Sequence, residues 1–351
     1  MFAKNLKYYR LKKNMTKAAL AKACGVSPMA ISNYESGKRK PDIEIINKMA
    51  AVLNVHVVDF LSSRNASLSF SHGEFRKKTT LTKGEQEYIR EAVEEYFNRF
   101  FTAVGFFGGN PLPAPPDCKC IKVTGNYECD ASAMRCYFDL PKSGPVEDIV
   151  AHIENKGFLV LFLDINNDAF SGMNGYVNDY PYIVIRSTMN AMRKRTTIVH
   201  ELAHLLFDWT NADLDEEKHA TAIAGAFLIP EVDLFRELGQ RRSSMTRDMT
   251  LVCTEYGIST YLLAKRASQV GILSEGAARD FYIKANKAHW RTDEPEWNIK
   301  NEESNLFRQL VLRAVNEEDL GIQRAAELLK VPYTDVQKYC VAMSEVDPWS
   351  I

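Results

Sequence analysis

The chain has 351 residues, too many for one ordinary hydrophobic core, so two or three domains are expected. Hydrophobic residues make up 46% and charged residues 25%, ordinary for a soluble globular protein, and no apolar run reaches the roughly 18–20 residues that span a bilayer. Net charge is −1, but residues 1–62 carry eleven Lys/Arg against four acids, a balance of +7 that leaves −8 on the remainder. A basic module on an acidic body is the distribution expected when one end meets a polyanion.

The first residues, Met1 to Leu6, lead into a charged, helix-periodic segment rather than the apolar stretch of a signal peptide. Seven scattered cysteines, an odd number, argue against a disulfide framework. A cytoplasmic chain with reduced thiols and no membrane partner is therefore expected.

From Leu6 to Leu61 apolar residues recur at helical spacing in short bursts. Leu6, Tyr9 and Arg10 lie on a first helix ending near Lys13-Asn14. Thr16 is placed as the cap of a second, and Gly25 makes the tight turn. Ser27-Pro28 opens a third helix, where the N–H missing from proline costs nothing, and Asp42 caps a fourth. Helix, glycine turn, helix is the arrangement that lays its second member in the DNA major groove.

Leu20-Ala21, Gly25-Val26-Ser27, Ile31-Ser32 and Glu35-Ser36-Gly37 fall in the register of the lambda-repressor-like (Cro-type, xenobiotic-response) helix-turn-helix family, which this segment resembles. The resemblance implies base contacts from the start of the third helix, here Pro28, Met29, Ser32 and Asn33, with Ser27 counted among the DNA-binding residues. Asn33 can read adenine and Met29 a thymine methyl. Lys38, Arg39 and Lys40 are expected on phosphates. Lys17 stands where that family often has glutamine, which keeps a phosphate contact and gives up a base contact. Operator DNA is thus the expected partner of residues 1–62, with a homodimer left open.

Residues 63–80 are polar and aperiodic and read as a linker. A helix is predicted from about Lys83 to Val104, with Tyr88, Ile89, Ala92, Val93, Tyr96, Phe97, Phe100 and Phe101 on one face and Glu91, Glu94 and Glu95 on the other. Cys118, Cys120, Cys129 and Cys136 follow; ordinary thiols are the default reading and a second, structural metal site the alternative. Helices are predicted over Ala131–Phe138 and Val146–Asn155, and strands over Phe158–Ile165 and Tyr182–Ile185. Gly175-Tyr176-Val177 reads as an edge strand, and Ser187 or Thr188 as the cap of the next helix.

That next helix carries His200-Glu201-Leu202-Ala203-His204. Residues four apart share a helix face, so His200 and His204 can offer two imidazole nitrogens to one zinc ion. Glu201, about 100° round the helix, misses the metal but reaches a water on it, and is assigned as the catalytic base that takes the water's proton and returns it to the leaving amine. The flanks Ile198, Val199, Leu202, Leu205 and Leu206 are apolar, and polar groups buried among them need partners. Zinc needs a third protein ligand and an open position. If the following helix packs antiparallel about residues 210–211, residue 204 lies opposite 217. Glu217 is the first choice for third ligand, with Glu216 and then His219 behind it. The group that stabilises the oxyanion stays open among His219, Tyr176 and several arginines.

Phe170-Ser171-Gly172, Tyr182–Ile185, the run from Arg195 to Leu206, and Glu217-x-x-Ala220-x-x-Ile223-Ala224-x-x-Phe227-Leu228-Ile229-Pro230 together resemble the ImmA/IrrE family of zinc metallopeptidases over about residues 130–275. Ile223-Ala224 stands where that family has phenylalanine-alanine. The resemblance places the third ligand on Glu217. It implies site-specific cleavage of a helix-turn-helix repressor that relieves repression in a stress or mobile-element response. The competing reading is a transcriptional regulator or antitoxin whose peptidase-like domain senses and does not cut.

Helical pairs are predicted again over Thr246–Val270 and Leu306–Tyr339, without a concentrated basic surface, so protein contacts are expected there. The expected fold class is mainly α with a small β-sheet (α+β). The expected domains are a helix-turn-helix domain at 1–62, a linker at 63–80, a helical connector at 81–128, a zincin-like peptidase domain at 129–235 and a helical C-terminal region at 236–351.

Overall fold

The computed structural model describes residues 2–62, 67–73, 80–210, 213–290, 294 and 299–340. It is mainly helical with a small mixed sheet, the expected class. Contacts divide the chain into two units, one drawn from 1–70, 75–111 and 305–351, the other from 71–74 and 112–304. The stretches expected as a connector (81–128) and a C-terminal region (236–351) are each divided between them.

The first unit begins with α1 (Phe2–Lys12), α2 (Lys17–Cys24), α3 (Pro28–Glu35), α4 (Ile43–Leu53) and α5 (Val57–Leu61). Their ends follow local chemistry. Thr16 Oγ1 accepts from Ala19 N at 3.1 Å, Ser27 Oγ from Ala30 N at 3.1 Å, and Asp42 Oδ1 from Ile45 N at 2.8 Å. Gly25 leaves α2 at φ 71°, in the left-handed region that favours glycine. Leu6, Leu20, Ile31, Met49, Leu53 and Phe60 form the shared core. Arg10, expected merely on the first helix, is buried and donates to both Glu35 oxygens through Nε and Nη2, at 2.5 and 3.0 Å, tying α1 to the end of α3.

In the same unit lie α6 (Lys83–Val104), α15 (Leu306–Asn316), α16 (Ile322–Leu329) and α17 (Tyr333–Lys338). The apolar face of α6 packs as expected, with Tyr96 and Phe100 against Phe307 at ring distances of 5.3 and 5.6 Å. Its acidic face is paired too. Lys4 and Lys7 of α1 reach Glu94 at 3.2 Å and Glu91 at 3.0 Å, and Arg99 and Lys330 each reach Glu95 at 2.9 Å. Burial opposes ionisation of Glu95, but Arg99 and Lys330 hold its carboxyl below the usual carboxylate range.

The second unit holds the sheet, ordered β1-β4-β5-β3. β3 (Leu159–Leu163) runs parallel to β5 (Tyr180–Arg186), with Leu161 opposite Val184. β4 (Gly172–Val177) is antiparallel to β5, with Asn174 opposite Ile183. β4 was expected as an edge, but β1 (Phe70–His72) lies outside it. A strand thus stands inside the segment expected to be a linker, whose residues 63–66 and 74–79 lie outside the described ones. A second, two-stranded sheet pairs β2 (Ile121–Lys122) with β6 (Phe207–Asp208), in the stretch expected as a plain reversing loop.

Around the sheet are α7 (Tyr127–Tyr137), α8 (Ile149–Asn155), α9 (Ala191–Leu206) and α10 (Glu216–Leu228). α11 (Glu231–Leu238), α12 (Met249–Tyr256), α13 (Thr260–Gln269) and α14 (Glu275–Lys287) follow. α9 packs on β4 and β5, and α10 packs between α9 and α7. Buried Arg135 of α7 fixes that arrangement by donating to the carbonyls of Phe227, Pro141 and Gly144 at 2.7–2.8 Å. No described helix is long and apolar enough to cross a membrane.

Candidate metal centre and nucleic-acid interface

α9 starts at Asn190, whose Oδ1 accepts from Arg193 N at 2.8 Å; the cap is this asparagine and not Ser187 or Thr188. Ile198, Val199, Leu202, Ala203 and Leu206 are buried on several sides of the helix. His200 and Glu201 are thereby carried into the interior, 4% and 6% exposed. After Leu206 the chain becomes extended at β6, and Asp215 caps the return helix by accepting from Lys218 N at 3.2 Å. Glu217 falls in the first turn of that helix.

The expected pairing of positions is what the two helices bring together. His200 Nε2 and His204 Nε2 are 3.1 Å apart, with Glu217 Oε2 3.5 Å from the first and Glu217 Oε1 3.5 Å from the second. Two nitrogens and an oxygen about 2.0–2.2 Å from a tetrahedral zinc lie roughly 3.3–3.5 Å from one another, so this donor set fits that ion. It is the only group of three such side chains close enough to hold a metal among the described residues. Glu217 is half-exposed, which leaves one side of the centre open to solvent.

The opposite ring nitrogens have partners that set the tautomers. His204 Nδ1 lies 2.7 Å from Glu216 Oε1, and a carboxylate there requires Nδ1–H. His200 Nδ1 lies 3.3 Å from Thr221 Oγ1, whose own hydroxyl donates to Glu217 O at 2.8 Å, so Nδ1–H again donates. Both Nε2 lone pairs are then turned to the same point, as metal-binding imidazoles require. Glu216, second choice for a ligand, sits behind His204 instead. His219, third choice, turns to buried Asp130 at 2.7 Å, and that aspartate also accepts from Thr124.

Glu201 Oε2 accepts from Asn174 Nδ2 at 2.8 Å. Asn174 was not singled out in the sequence, although a signal existed. Strand alternation puts Gly172 and Asn174 on one face of β4, and a Cβ at Gly172 would come within 2.8 Å of Thr197 Cγ2 and 3.3 Å of Glu201 Cγ. The glycine lets α9 approach the strand and the asparagine meets its glutamate. Tyr176, an oxyanion candidate, is hydrogen-bonded to the Cys118 thiol, and burial pushes both groups' pKa values up. Cys120, Cys129 and Cys136 are exposed and Cys118 is half-buried; the four do not gather into a metal-holding cluster.

In the first unit, Ser27, Pro28 and Met29 are exposed at the start of α3, Met29 at 67%. Ser32 and Asn33 are half-buried one turn further on. Lys17 Nζ lies 3.4 Å from Ser32 Oγ, so it belongs to the same surface. Lys38, Arg39 and Lys40 are exposed beyond the end of α3. Ser27 Oγ also accepts from Ala30 N as the α3 cap, which leaves its O–H to donate.

Residues 6–60 match the family model described as Helix-turn-helix, and residues 153–268 match that of the IrrE N-terminal-like domain. No curated protein and no solved structure matches the chain. The two matched segments are those that carry the capped α2–α3 pair and the His200–Glu201–His204 helix. The chain thus joins a segment similar to helix-turn-helix domains to a segment similar to IrrE N-terminal-like domains.

Proposed function

We propose that the second unit is a zinc-dependent endopeptidase acting in the cytoplasm, with His200, His204 and Glu217 as metal ligands and Glu201 as the catalytic base. The helix-turn-helix domain takes it to operator DNA, where it cleaves a helix-turn-helix repressor or related regulator and relieves repression. The reading is carried by the convergence of two Nε2 lone pairs and a carboxylate at tetrahedral spacing, one residue from a buried glutamate. The choice of repressor as substrate rests on the resemblance to ImmA/IrrE peptidases.

When bound, zinc supplies Lewis acidity that polarises the scissile carbonyl and makes water nucleophilic at neutral pH. Asn174 fixes one oxygen of Glu201 and so aims the carboxylate. Glu201 takes the proton of the attacking water and delivers it to the leaving amine, which closes the proton balance of hydrolysis. Glu216 and Thr221 hold the imidazoles in their tautomers and orientations. The half-exposed Glu217 side of the centre is where a protein substrate enters.

Elemental analysis of the purified protein should find one zinc per chain, retained in Glu201→Gln. Wild type should cleave its repressor and Glu201→Gln should not. Absence of stoichiometric zinc, or equal cleavage by the mutant, overturns the reading.

A further inference from the structure

The sheet edge beside Glu201 is covered by the chain itself. Gly73 N donates to Asn174 O at 2.8 Å, and the side chain of the same Asn174 donates to Glu201 Oε2 at 2.8 Å. The backbone of residues 71–73 is therefore separated from the catalytic base by a single residue. The approach is close, since a Cβ at Gly175 would lie 2.5 Å from Ser71 O and one at Gly73 would lie 2.6 Å from Asn174 O. His72 is the anchor, its Nδ1 lying 2.6 Å from the hydroxyl of fully buried Tyr182.

The strand is short and partly exposed. β1 has three residues with Ser71 exposed, whereas β5 is buried from end to end. An exposed strand edge is the surface to which an extended polypeptide adds, through backbone N–H and C=O groups. On β4 those groups are met, next to Asn174, by Ser71–Gly73.

We propose that Ser71–Gly73 is a cis-acting strand occupying the peptide-accepting edge of β4, so that an extended polypeptide must displace it to reach Glu201. The inference rests on the peptidase reading for the role of Glu201. A tethered segment competes at the high effective concentration of an intramolecular ligand. The apparent affinity of an incoming chain then falls with the fraction of molecules whose edge is open. Opening releases the His72–Tyr182 and Gly73–Asn174 bonds, among the contacts of β1, and leaves β5 in place, a local event.

The test uses the full chain in a Glu201→Gln background, so that binding is read without cleavage. The probe is a fluorescein-labelled synthetic peptide of residues 67–73, followed by anisotropy. His72→Ala removes the anchor, and Gly73→Pro removes the N–H given to Asn174. Both should bind the peptide about tenfold more tightly than the parent. Equal affinities in all three proteins, or binding by none, overturn the proposal. Hydrogen exchange gives a second reading on the parent chain. The Gly73 amide should exchange well before the amides of β5, and exchange only together with β5 overturns a separable strand. Failure of the peptidase reading would show instead as absent zinc or uncleaved repressor, and would leave the peptide affinities as measured.

Discussion

Glu302→Ala should nearly unfold the second unit, although residue 302 lies far along the chain from the metal centre. Arg195, one turn and a half before His200 on α9, is 6% exposed and paired with Glu302, itself 2% exposed. The guanidinium also donates to the carbonyls of Gly257, at 3.1 Å, and Val146. Glu302 in turn accepts from Ile149 N at 3.3 Å and Val150 N at 3.1 Å, the first turn of α8, whose own N-cap residue makes no side-chain cap. Removing one partner of a buried ion pair costs about 3–5 kcal/mol. Two helix N–H groups left without an acceptor add roughly 1 kcal/mol each, for about 5–7 kcal/mol in all. A domain has only about 5–15 kcal/mol to lose. Replacing both charges, Arg195→Met with Glu302→Leu, removes the uncompensated cation but not the uncapped helix, so about 2 kcal/mol of deficit should remain. Urea unfolding followed by circular dichroism measures the Glu302→Ala cost, and a double-mutant cycle of Arg195→Met, Glu302→Leu and the pair measures their coupling. A Glu302→Ala cost below about 1 kcal/mol, or a coupling energy near zero, would refute the assignment of this pair as the tie between α8 and α9.

Glu217→Ala should abolish stoichiometric zinc binding, whereas Glu216→Ala, which removes only the partner of His204 Nδ1, should weaken it by about 10–100-fold in a chelator competition; equal effects would erase the distinction drawn between them. Gly172→Ala places a Cβ 2.8 Å from Thr197 Cγ2 and 3.1 Å from Val184 O, at a cost of about 1–3 kcal/mol by urea unfolding, and cleavage should fall further than zinc content because Glu201 is the nearest group of the centre. Lys38→Ala, Arg39→Ala and Lys40→Ala should each lower the salt slope of DNA binding by about one, and an unchanged slope would remove them from the phosphates. Burial raises the Glu154 carboxyl from 4.5 to about 7, with a hydrogen bond from Ser304 opposing. The folded chain therefore holds that proton after the unfolded chain has lost it, and the contribution present below pH 4.5 is lost as pH rises to 7. Between pH 5 and 8 the wild type should lose on the order of 1–3 kcal/mol that Glu154→Gln does not, read from urea midpoints at each pH.

What was legible in the sequence is what is encoded within a turn or two of helix. Thr16, Gly25, Ser27 and Asp42 cap and turn the N-terminal helices where expected, because capping joins a side chain to a backbone group three residues away. His200 and His204 follow from helical spacing, and the partner at 217 from reflecting one helix on the next across a short reversal. Local signals fail when several residues satisfy the same rule. Ser187, Thr188 and Asn190 can all cap a helix, and only the path of β5 selects Asn190. They fail again where the pairing partner is remote. Residues 71–73 carry no strand pattern, since two of three are Ser and Gly; they are ordered by the edge of β4 a hundred residues away, over Gly175 and against Tyr182. Glu302 lies in a polar stretch that no periodicity marks, and its carboxylate is required only because α8 lacks a cap and α9 buries an arginine. Asn174 belongs to the same class. A helix places Glu201 without its help, but a carboxylate buried in that helix needs a donor to hold it. The donor came from the strand that glycine at 172 lets close enough to serve.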